Sequence, residues 1–132
     1  MTGVQTCALP IWVADFIPGI KVDQGPEEGD LLLLAWGSTY GTCRATVRDL
    51  NNAGYSASHA HIRYIKPFPR NLEELMSRFK HVMVPEINNG QLIKILRDRY
   101  RREFIPFNRI QGIPLRKSEL TEASIDVLKG KV

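Results

Sequence analysis

The hydrophobic positions of this chain change their period along the sequence, and the changes predict alternating strands and helices. Leu31 to Trp36 is an unbroken apolar run, which is typical of a strand buried on both faces of a sheet. We expect a helix to follow as far as about Ala53, where Gly54 supplies the left-handed conformation that ends many helices. Ser38 or Thr39 is expected to cap this helix, because a hydroxyl oxygen accepts a hydrogen bond from a free N–H group of the first turn.

The rest of the chain continues this alternation of element types. Its patterns predict a strand over 56–65, a short helix over 71–79, a strand over 81–84, a helix over 90–103, a strand over 104–110 and a helix over 117–129. Asn71 and Glu74 have the spacing of a capping box at the start of the short helix. The alternation predicts one α/β domain over 30–132, a three-layer arrangement with a mostly parallel sheet flanked by helices. Residues 13–29 contain two prolines and three glycines and predict an extended linker.

The first twelve residues, MTGVQTCALPIW, carry no charge and no helical or strand period. The segment from Gly3 to Ile11 looks like the translation of a sequencing-library adapter. We therefore interpret residues 1–12 as an artefact of cloning or assembly, leave them out of the fold argument, and expect the chain to be a fragment of a longer protein. Of the two cysteines, Cys43 is then the one native residue, which is too few for an internal disulfide or a cysteine-based metal site.

Composition sets broad limits on the class of protein. With 132 residues, 43% hydrophobic and 24% charged, the chain is large enough for one hydrophobic core. The formal charge of +4 fits an ordinary solvated surface at least as well as a nucleic-acid partner. No apolar run approaches the length of a membrane span, and no signal peptide is evident. We expect a cytoplasmic protein with neither a membrane nor a nucleic acid as its partner.

Two loops hold the candidate contact residues. The first, GSTYG, has neither the GxGxxG spacing of a dinucleotide site nor the lysine of a P-loop, although Ser38 and Thr39 at a helix N-terminus are placed to hold an anion. The second, PEINNGQL, lies at a strand-to-helix junction, where ligands of parallel sheets bind. Its polar residues are also typical of turns and caps, and this interpretation stays open beside the functional one. The candidates for an interface or anion contact are Ser38, Thr39, Glu86, Asn88, Asn89 and Gln91.

Three other features favour structural roles. His59 and His61 lie two apart on one predicted strand and share a face, a spacing that suits a metal pair, but the sequence offers no third ligand nearby. We expect them to be hydrogen-bonded or partly exposed strand residues, and we expect Cys43 to be a small packing residue. The basic run Arg97 to Arg102 predicts a solvated helix face. The sequence assigns no catalytic residue, no cofactor ligand and no metal ligand.

Taken in order, four segments carry a resemblance to a known family. They are EEGDLLLLAWGSTYGT, SHAHIRYIKPFPRNLEEL, RFKHVMVPEINNGQL and NRIQGIPLRKSEL. Over about Gly25 to Leu128 the chain resembles the C-terminal domain of the alpha subunit of 2-oxoacid:ferredoxin oxidoreductases, above all the 2-oxoglutarate type. The resemblance implies a fold similar to the C-terminal domain of transketolase, in agreement with the predicted parallel sheet.

The resemblance also implies a reaction and a set of partners. The complete enzyme converts a 2-oxoacid, coenzyme A and oxidised ferredoxin to acyl-CoA, carbon dioxide and reduced ferredoxin, using thiamine diphosphate, Mg²⁺ and an iron–sulfur cluster. The implied partners are the rest of the alpha subunit, the beta subunit and, through the complex, ferredoxin. Because no cofactor motif occurs in this chain, we expect a structural and assembly role and no activity of the chain alone. Two alternatives stay open: a free-standing small-molecule or nucleotide-binding α/β module, and a nucleic-acid-binding domain that uses the basic run and Lys117.

Overall fold

Five strands form a single sheet in the order β1-β3-β2-β4-β5. The protein is seen in a computed structural model that describes residues 17–109 and 113–130. The strands are β1 (Val22–Gln24), β2 (Gly29–Trp36), β3 (Ala57–Ile62), β4 (Phe79–Glu86) and β5 (Ile105–Asn108). β1 runs antiparallel to β3, and the other three pairings are parallel. The predicted mostly parallel sheet is confirmed, with the apolar run of β2 at its centre.

Helices cover both faces of the sheet. They are α1 (Tyr40–Asn52), which follows a 3-10 turn at Gly37–Thr39, α2 (Leu72–Ser77), α3 (Gln91–Arg99) and α4 (Lys117–Leu128). Alternate leucines of β2 enter two separate cores, because successive side chains of a strand point to opposite faces. Leu32 and Leu34 pack with residues of α2 and α3, whereas Leu31 and Leu33 pack with residues of α1 and α4. The three-layer arrangement predicted from the alternation of elements is therefore present.

The second half of the segment predicted as a linker, residues 13–29, is instead part of the folded domain. Val22–Gln24 pairs with β3 as an edge strand, and Ile20 just before it is only 7% exposed. Asn71 explains how this segment is held: its side-chain amide accepts a hydrogen bond from Ile20 N–H at 2.8 Å and donates one to Ile20 C=O at 2.7 Å. Three residues are too short a run to show a strand period. The predicted adapter-derived residues 1–12 lie outside the described residues.

Several element ends also differ from the predictions. Asn71 occupies the position before α2, but its side chain makes no cap hydrogen bond because it binds Ile20 instead, so the predicted capping box is wrong. The helix α3 ends at Arg99, four residues before the predicted end at Glu103, and the backbone of Tyr100 is already extended. The strand β3 is shorter than predicted and is buried on both faces along its whole length. The predicted end of the fourth strand at Ile110 lies outside the described residues.

Candidate functional site

The two predicted contact loops meet at one cleft. β2 leads from its carboxyl end into α1 on one face of the sheet, and its neighbour β4 leads into α3 on the other face. Connections that diverge in this way leave a crevice between adjacent strand ends, which is where open α/β sheets bind ligands. The crevice, which we call the switch-point cleft, has a volume of about 260 Å³. It is lined by Trp36, Gly37, Ser38, Thr39, Glu86, Ile87, Asn88 and Gln91.

Glu86 is the buried centre of this cleft. Glu86 is 1% exposed. Its carboxylate accepts three hydrogen bonds, from groups at the end of β2 and at the start of α3. The N–H groups of Leu92 and Ile93, in the first turn of α3, donate to Oε1 at 2.8 Å and to Oε2 at 3.2 Å. The indole Nε1 of Trp36 donates to Oε1 at 3.1 Å. Glu86 therefore caps α3 and fastens the end of β2 to the end of β4.

Asn88 closes the turn between β4 and α3. Its side-chain oxygen accepts hydrogen bonds from the N–H groups of Gly90 at 2.7 Å and Gln91 at 3.0 Å. Gly90 has a φ of 88°, and a side chain there would also crowd Ile93, so this turn requires glycine. The first N–H groups of α3 are thus satisfied from within the chain. Asn89 does not line the cleft and is exposed.

The opposite wall of the cleft, formed by residues 36–39, has no side-chain cap at its helix start. Thr39 Oγ1 donates to the carbonyl oxygen of Trp36 at 2.9 Å, so the hydroxyl points back to the strand. Neither the 3-10 turn nor α1 has a side-chain cap hydrogen bond, and neither has an acidic residue in its first turn. The prediction that Ser38 or Thr39 caps this helix is therefore wrong. Ser38 is exposed on the cleft wall, beside N–H groups that no side chain satisfies.

The strand histidines are more deeply buried than expected. The rings of His59 and His61 share one face of β3, with centroids 5.5 Å apart, and both pack edge-on against Tyr40 at 5.3 and 4.9 Å. Neither nitrogen of His59 has a hydrogen-bond partner among the described residues, so the expectation of hydrogen-bonded or partly exposed side chains is wrong for this residue. Burial lowers the pKa of His59 to about 4, with a further lowering from the nearby His61.

Tyr40 is the partner that sequence reasoning missed. The pair of histidines was evident from their spacing, but nothing in the sequence connected them to the aromatic residue of the GSTYG loop. In residues 17–109 and 113–130, no group of three or more His, Cys, Asp or Glu side chains is arranged to hold a metal ion. The histidine cluster therefore forms an aromatic contact between β3 and the start of α1.

Cys43 and the basic run have structural contacts. Cys43 is fully buried against the sheet, and burial raises the pKa of its thiol to about 12, which fits a packing residue. In the basic run, Arg97 donates to the carbonyl of Phe104 at 3.0 Å. Arg102 donates to the carbonyls of Met76 at 2.6 Å and Phe79 at 3.2 Å. Part of the run predicted as a solvated face therefore ties the end of α3 to the start of β4.

Comparisons with known proteins agree with this architecture. The family model for pyruvate:ferredoxin oxidoreductase core domain II matches residues 29–122. A 2-oxoglutarate oxidoreductase subunit KorA from Mycobacterium tuberculosis is 34% identical over 116 residues, which are 88% of this chain and 18% of that protein. Subunit alpha of 2-oxoacid:ferredoxin oxidoreductase 1 from Aeropyrum pernix is 29% identical over 113 residues, 80% of this chain and 17% of that protein. The chain thus spans about a fifth of the length of these curated relatives.

A solved structure extends the likeness to three dimensions. The 2-oxoglutarate:ferredoxin oxidoreductase from Magnetococcus marinus, with 2-oxoglutarate, coenzyme A and succinyl-CoA bound, superposes with a TM-score of 0.80 at 25% sequence identity. The superposition covers 88% of this chain and 21% of that chain. Within the described part of the sequence, no helix has the length and apolar character needed to cross a membrane. Since the matched residues 29–122 make up more than half of the 132 residues, the chain belongs to the pyruvate:ferredoxin oxidoreductase core domain II family.

Proposed function

We propose that this chain is a structural and assembly domain of the alpha subunit of a 2-oxoacid:ferredoxin oxidoreductase of the 2-oxoglutarate type. The observation that carries the proposal is the family match over residues 29–122, together with a 34% identical relative of which the matched residues are only 18%. The parent reaction would convert a 2-oxoacid, coenzyme A and oxidised ferredoxin to acyl-CoA, carbon dioxide and reduced ferredoxin. The rest of the alpha subunit and the beta subunit would be direct partners, and ferredoxin would be reached through the complex in the cytoplasm.

The cofactors of such a complex do not fit the described residues of this chain. An iron–sulfur cluster is held by several cysteine thiolates. Here Cys43 is fully buried, and its raised pKa keeps the thiol protonated at neutral pH. Thiamine diphosphate needs a divalent metal to hold its diphosphate, and the described ranges contain no group of three or more His, Cys, Asp or Glu side chains arranged to hold one. In this proposal the domain supports the complex, and the redox centres are held elsewhere in it.

The switch-point cleft is the contact surface that we propose for the neighbouring domain or subunit. Its exposed positions Ser38 and Gln91 face outward from opposite walls, and Asn89 is exposed beside them. Thr39, Glu86 and Asn88 support the walls through the hydrogen bonds described above. Loops at the carboxyl ends of strands are the usual place for contacts in parallel sheets, and rigid caps hold these loops in position.

The experiment is reconstitution of the complete alpha subunit with its beta subunit. The double variant Ser38→Glu and Gln91→Glu places a charge on each wall of the cleft, and we expect at least about a tenfold loss of subunit affinity, since each unpaired interfacial charge costs about 1 kcal/mol or more. The matched control, Asn52→Glu with Ser77→Glu, adds the same charges at exposed positions near the opposite ends of the strands. Size-exclusion chromatography measures assembly, and acceptor reduction measures turnover.

Two results would contradict the proposal. One is full assembly and full turnover in a complex that lacks residues 13–132. The other is an equal loss of affinity in the cleft variant and its control, which would point to net charge instead of this surface. Circular dichroism of both variants establishes that the domain remains folded.

A further inference from the structure

The end of α3 carries a concentration of positive charge that the fold does not neutralise. Residues 97–103, RDRYRRE, hold four arginines and two acids, a net charge of +2 in a chain whose formal charge is +4. None of these arginines forms an ion pair with a carboxylate of the described residues, whose ion pairs use cations of other segments. Half of the net charge of the chain is therefore concentrated in seven residues.

The helix dipole accounts for only part of this charge. Arg97 and Arg99 lie in the last turn of α3, where the macrodipole is equivalent to about half a negative charge. Arg101 and Arg102 follow the end of the helix at Arg99, beyond the turn over which the dipole acts. After the dipole is subtracted, an excess of about one and a half positive charges remains at this surface.

Two contacts hold the segment after the helix in a fixed position. Arg102 donates to two backbone carbonyls between α2 and β4, at 2.6 and 3.2 Å. Tyr100 packs against Phe68 with ring centroids 5.8 Å apart, and both rings contact the core under α2 and α3. The side chains of Arg99 and Arg101, on either side of Tyr100, are exposed. They extend from a fixed backbone, which lowers the entropy lost when a partner binds.

The packing of the aromatic rings favours a protein over a nucleic acid as the partner. Single-stranded nucleic acids bind where bases stack on exposed aromatic faces. Here the ring of Tyr100 packs against Phe68, and the guanidinium carbon of Arg99 lies 5.7 Å from its centre. Lys117, the other cation considered for a nucleic acid, lies on the opposite face of the sheet and pairs with Asp49 at 2.8 Å. Carboxylates of a protein accept hydrogen bonds from a guanidinium without any stacking.

The polarity of the surface favours a separate protein that binds reversibly. Permanent interfaces are largely apolar, whereas complementary charges chiefly increase the rate of association and the specificity of an encounter. The exposed large hydrophobic residues in the described part of the chain are Tyr64, Ile95 and Ile113. Of these only Ile95 belongs to α3, and none lies within residues 97–103. Exposed arginines around packed aromatic rings are thus typical of a transient contact.

We propose that the end of α3 binds an acidic segment of a separate protein. Arg99 and Arg101 would pair with its carboxylates, and Arg102 and Tyr100 would keep these two arginines in position. The site is separate from the switch-point cleft, because α3 begins beside Glu86 at the cleft and runs for nine residues before this end. The inference goes beyond the proposed assembly role and does not depend on it, since it concerns a different surface and a different partner.

The test measures binding of the 132-residue chain to a fluorescent synthetic peptide of alternating glutamate and serine, by fluorescence anisotropy at low ionic strength, where exposed charges are least screened. We expect saturable binding. Arg99→Gln with Arg101→Gln should weaken it about fivefold, because each exposed ion pair contributes a factor of about two to three. The matched control, Arg44→Gln with Arg48→Gln, removes the same charge from exposed positions of α1 on the opposite face of the sheet and should have a clearly smaller effect.

Four results would overturn the proposal. They are the absence of saturable binding, equal weakening by the two double variants, tighter binding of single-stranded oligothymidylate with the same number of charges, and loss of subunit assembly in the α3 variant. The second would describe attraction to net charge, and the third would identify a nucleic acid as the partner. For the fourth, the complete alpha subunit with both α3 substitutions is mixed with its beta subunit, and assembly equal to that of the parent is expected. Circular dichroism establishes that both variants remain folded.

Discussion

Glu86 shows how a single side chain supports both walls of the switch-point cleft. A carboxylate buried in a protein interior is costly unless donors surround it. Here two backbone N–H groups of α3 and the indole of Trp36 supply three donors. The same carboxylate carries a negative charge at the positive end of the helix dipole. The residue chosen from the sequence as a possible contact is therefore the internal support of the site.

We predict that Glu86→Ala destabilises the protein by about 2–4 kcal/mol, because the change leaves three buried donors without an acceptor. Glu86→Gln retains one acceptor oxygen and should cost clearly less. Urea unfolding followed by tryptophan fluorescence measures both variants. Asn89→Ala is the control, since this side chain is exposed and should change stability by less than about 0.5 kcal/mol. An alanine variant at position 86 as stable as the parent would contradict the capping role.

We predict that His59 makes stability depend on pH between 6.5 and 4. The pKa of His59 is lowered from 6.5 to about 4 in the folded protein, so the unfolded chain takes up a proton in this range before the folded protein does. Stability is therefore fully present above pH 6.5 and is lost as the pH falls toward 4, at up to about 1.4 kcal/mol per pH unit. Urea unfolding at a series of pH values measures the slope.

The control for this prediction is His59→Phe. Phenylalanine retains an aromatic contact with Tyr40 but cannot bind a proton, so the slope between pH 6.5 and 4 should become shallower. The paired carboxylate of Asp49 also has a lowered pKa, mainly through its hydrogen bond with Lys117, but it titrates below its ordinary value of 3.8. Its contribution therefore falls below the range tested. An unchanged slope in His59→Phe would show that another group is responsible.

Among the secondary-structure elements, β2 holds the two cores together. Its leucines alternate between the core under α2 and α3 and the core under α1 and α4, so both layers depend on one strand. The strand also pairs with β3 on one side and β4 on the other, which leaves none of its edges to solvent. A substitution in the centre of this strand therefore affects the whole sheet.

We predict that Leu33→Ala lowers stability by about 2–5 kcal/mol, since Leu33 is fully buried and the change leaves a cavity. Leu33→Asp should prevent folding, because it places an unpaired carboxylate between the sheet and α1. Ile95→Ala, at a position of α3 that is 38% exposed, is the control and should cost less than about 1 kcal/mol. Thermal unfolding compares the three, and a Leu33→Asp protein that melts near the parent temperature would refute the central placement of β2.

For the molecule as a whole, two cores on opposite faces of one sheet fix the loops that line the switch-point cleft. The described polar groups of the switch-point cleft mostly satisfy one another, and Cys43 is an inert packing residue. The chain spans about a fifth of the length of its curated relatives, and the proposed function leaves the chemistry to the rest of such a complex. The contribution that we propose for the domain is to hold contact loops rigidly at the ends of parallel strands.

We predict that the isolated 132-residue chain neither binds thiamine diphosphate nor reduces a viologen acceptor with 2-oxoglutarate and coenzyme A. The physical reason is that the sequence has no diphosphate-and-metal motif and two cysteines in total, too few for a cluster. Calorimetry with thiamine diphosphate and an absorbance assay for the reduced acceptor measure the two properties. Turnover above a blank without protein would contradict this prediction.

The sequence alone determined the alternation of strands and helices from β2 onward and the central apolar strand. These features depend on the spacing of neighbouring residues, which is visible in the chain itself. The resemblance of four short segments to the 2-oxoacid:ferredoxin oxidoreductases was also present in the sequence, and the family match supports it. The ends of the elements were less well predicted. At the start of α2, for example, the side chain of Asn71 could bind either the first turn of the helix or the backbone of Ile20, and only tertiary packing selected Ile20.

The tertiary structure alone decided how the site is built. Trp36 and Glu86 are 50 positions apart, and Ile20 and Asn71 are 51 apart, so no local pattern connects the members of either pair. The same holds for Tyr40 and the strand histidines, which meet only because α1 lies against β3. Burial and hydrogen-bond partners are properties of such distant contacts. They made Glu86, a predicted contact residue, a cap of α3, and they placed His59 and His61 against Tyr40, contacts that the sequence did not reveal.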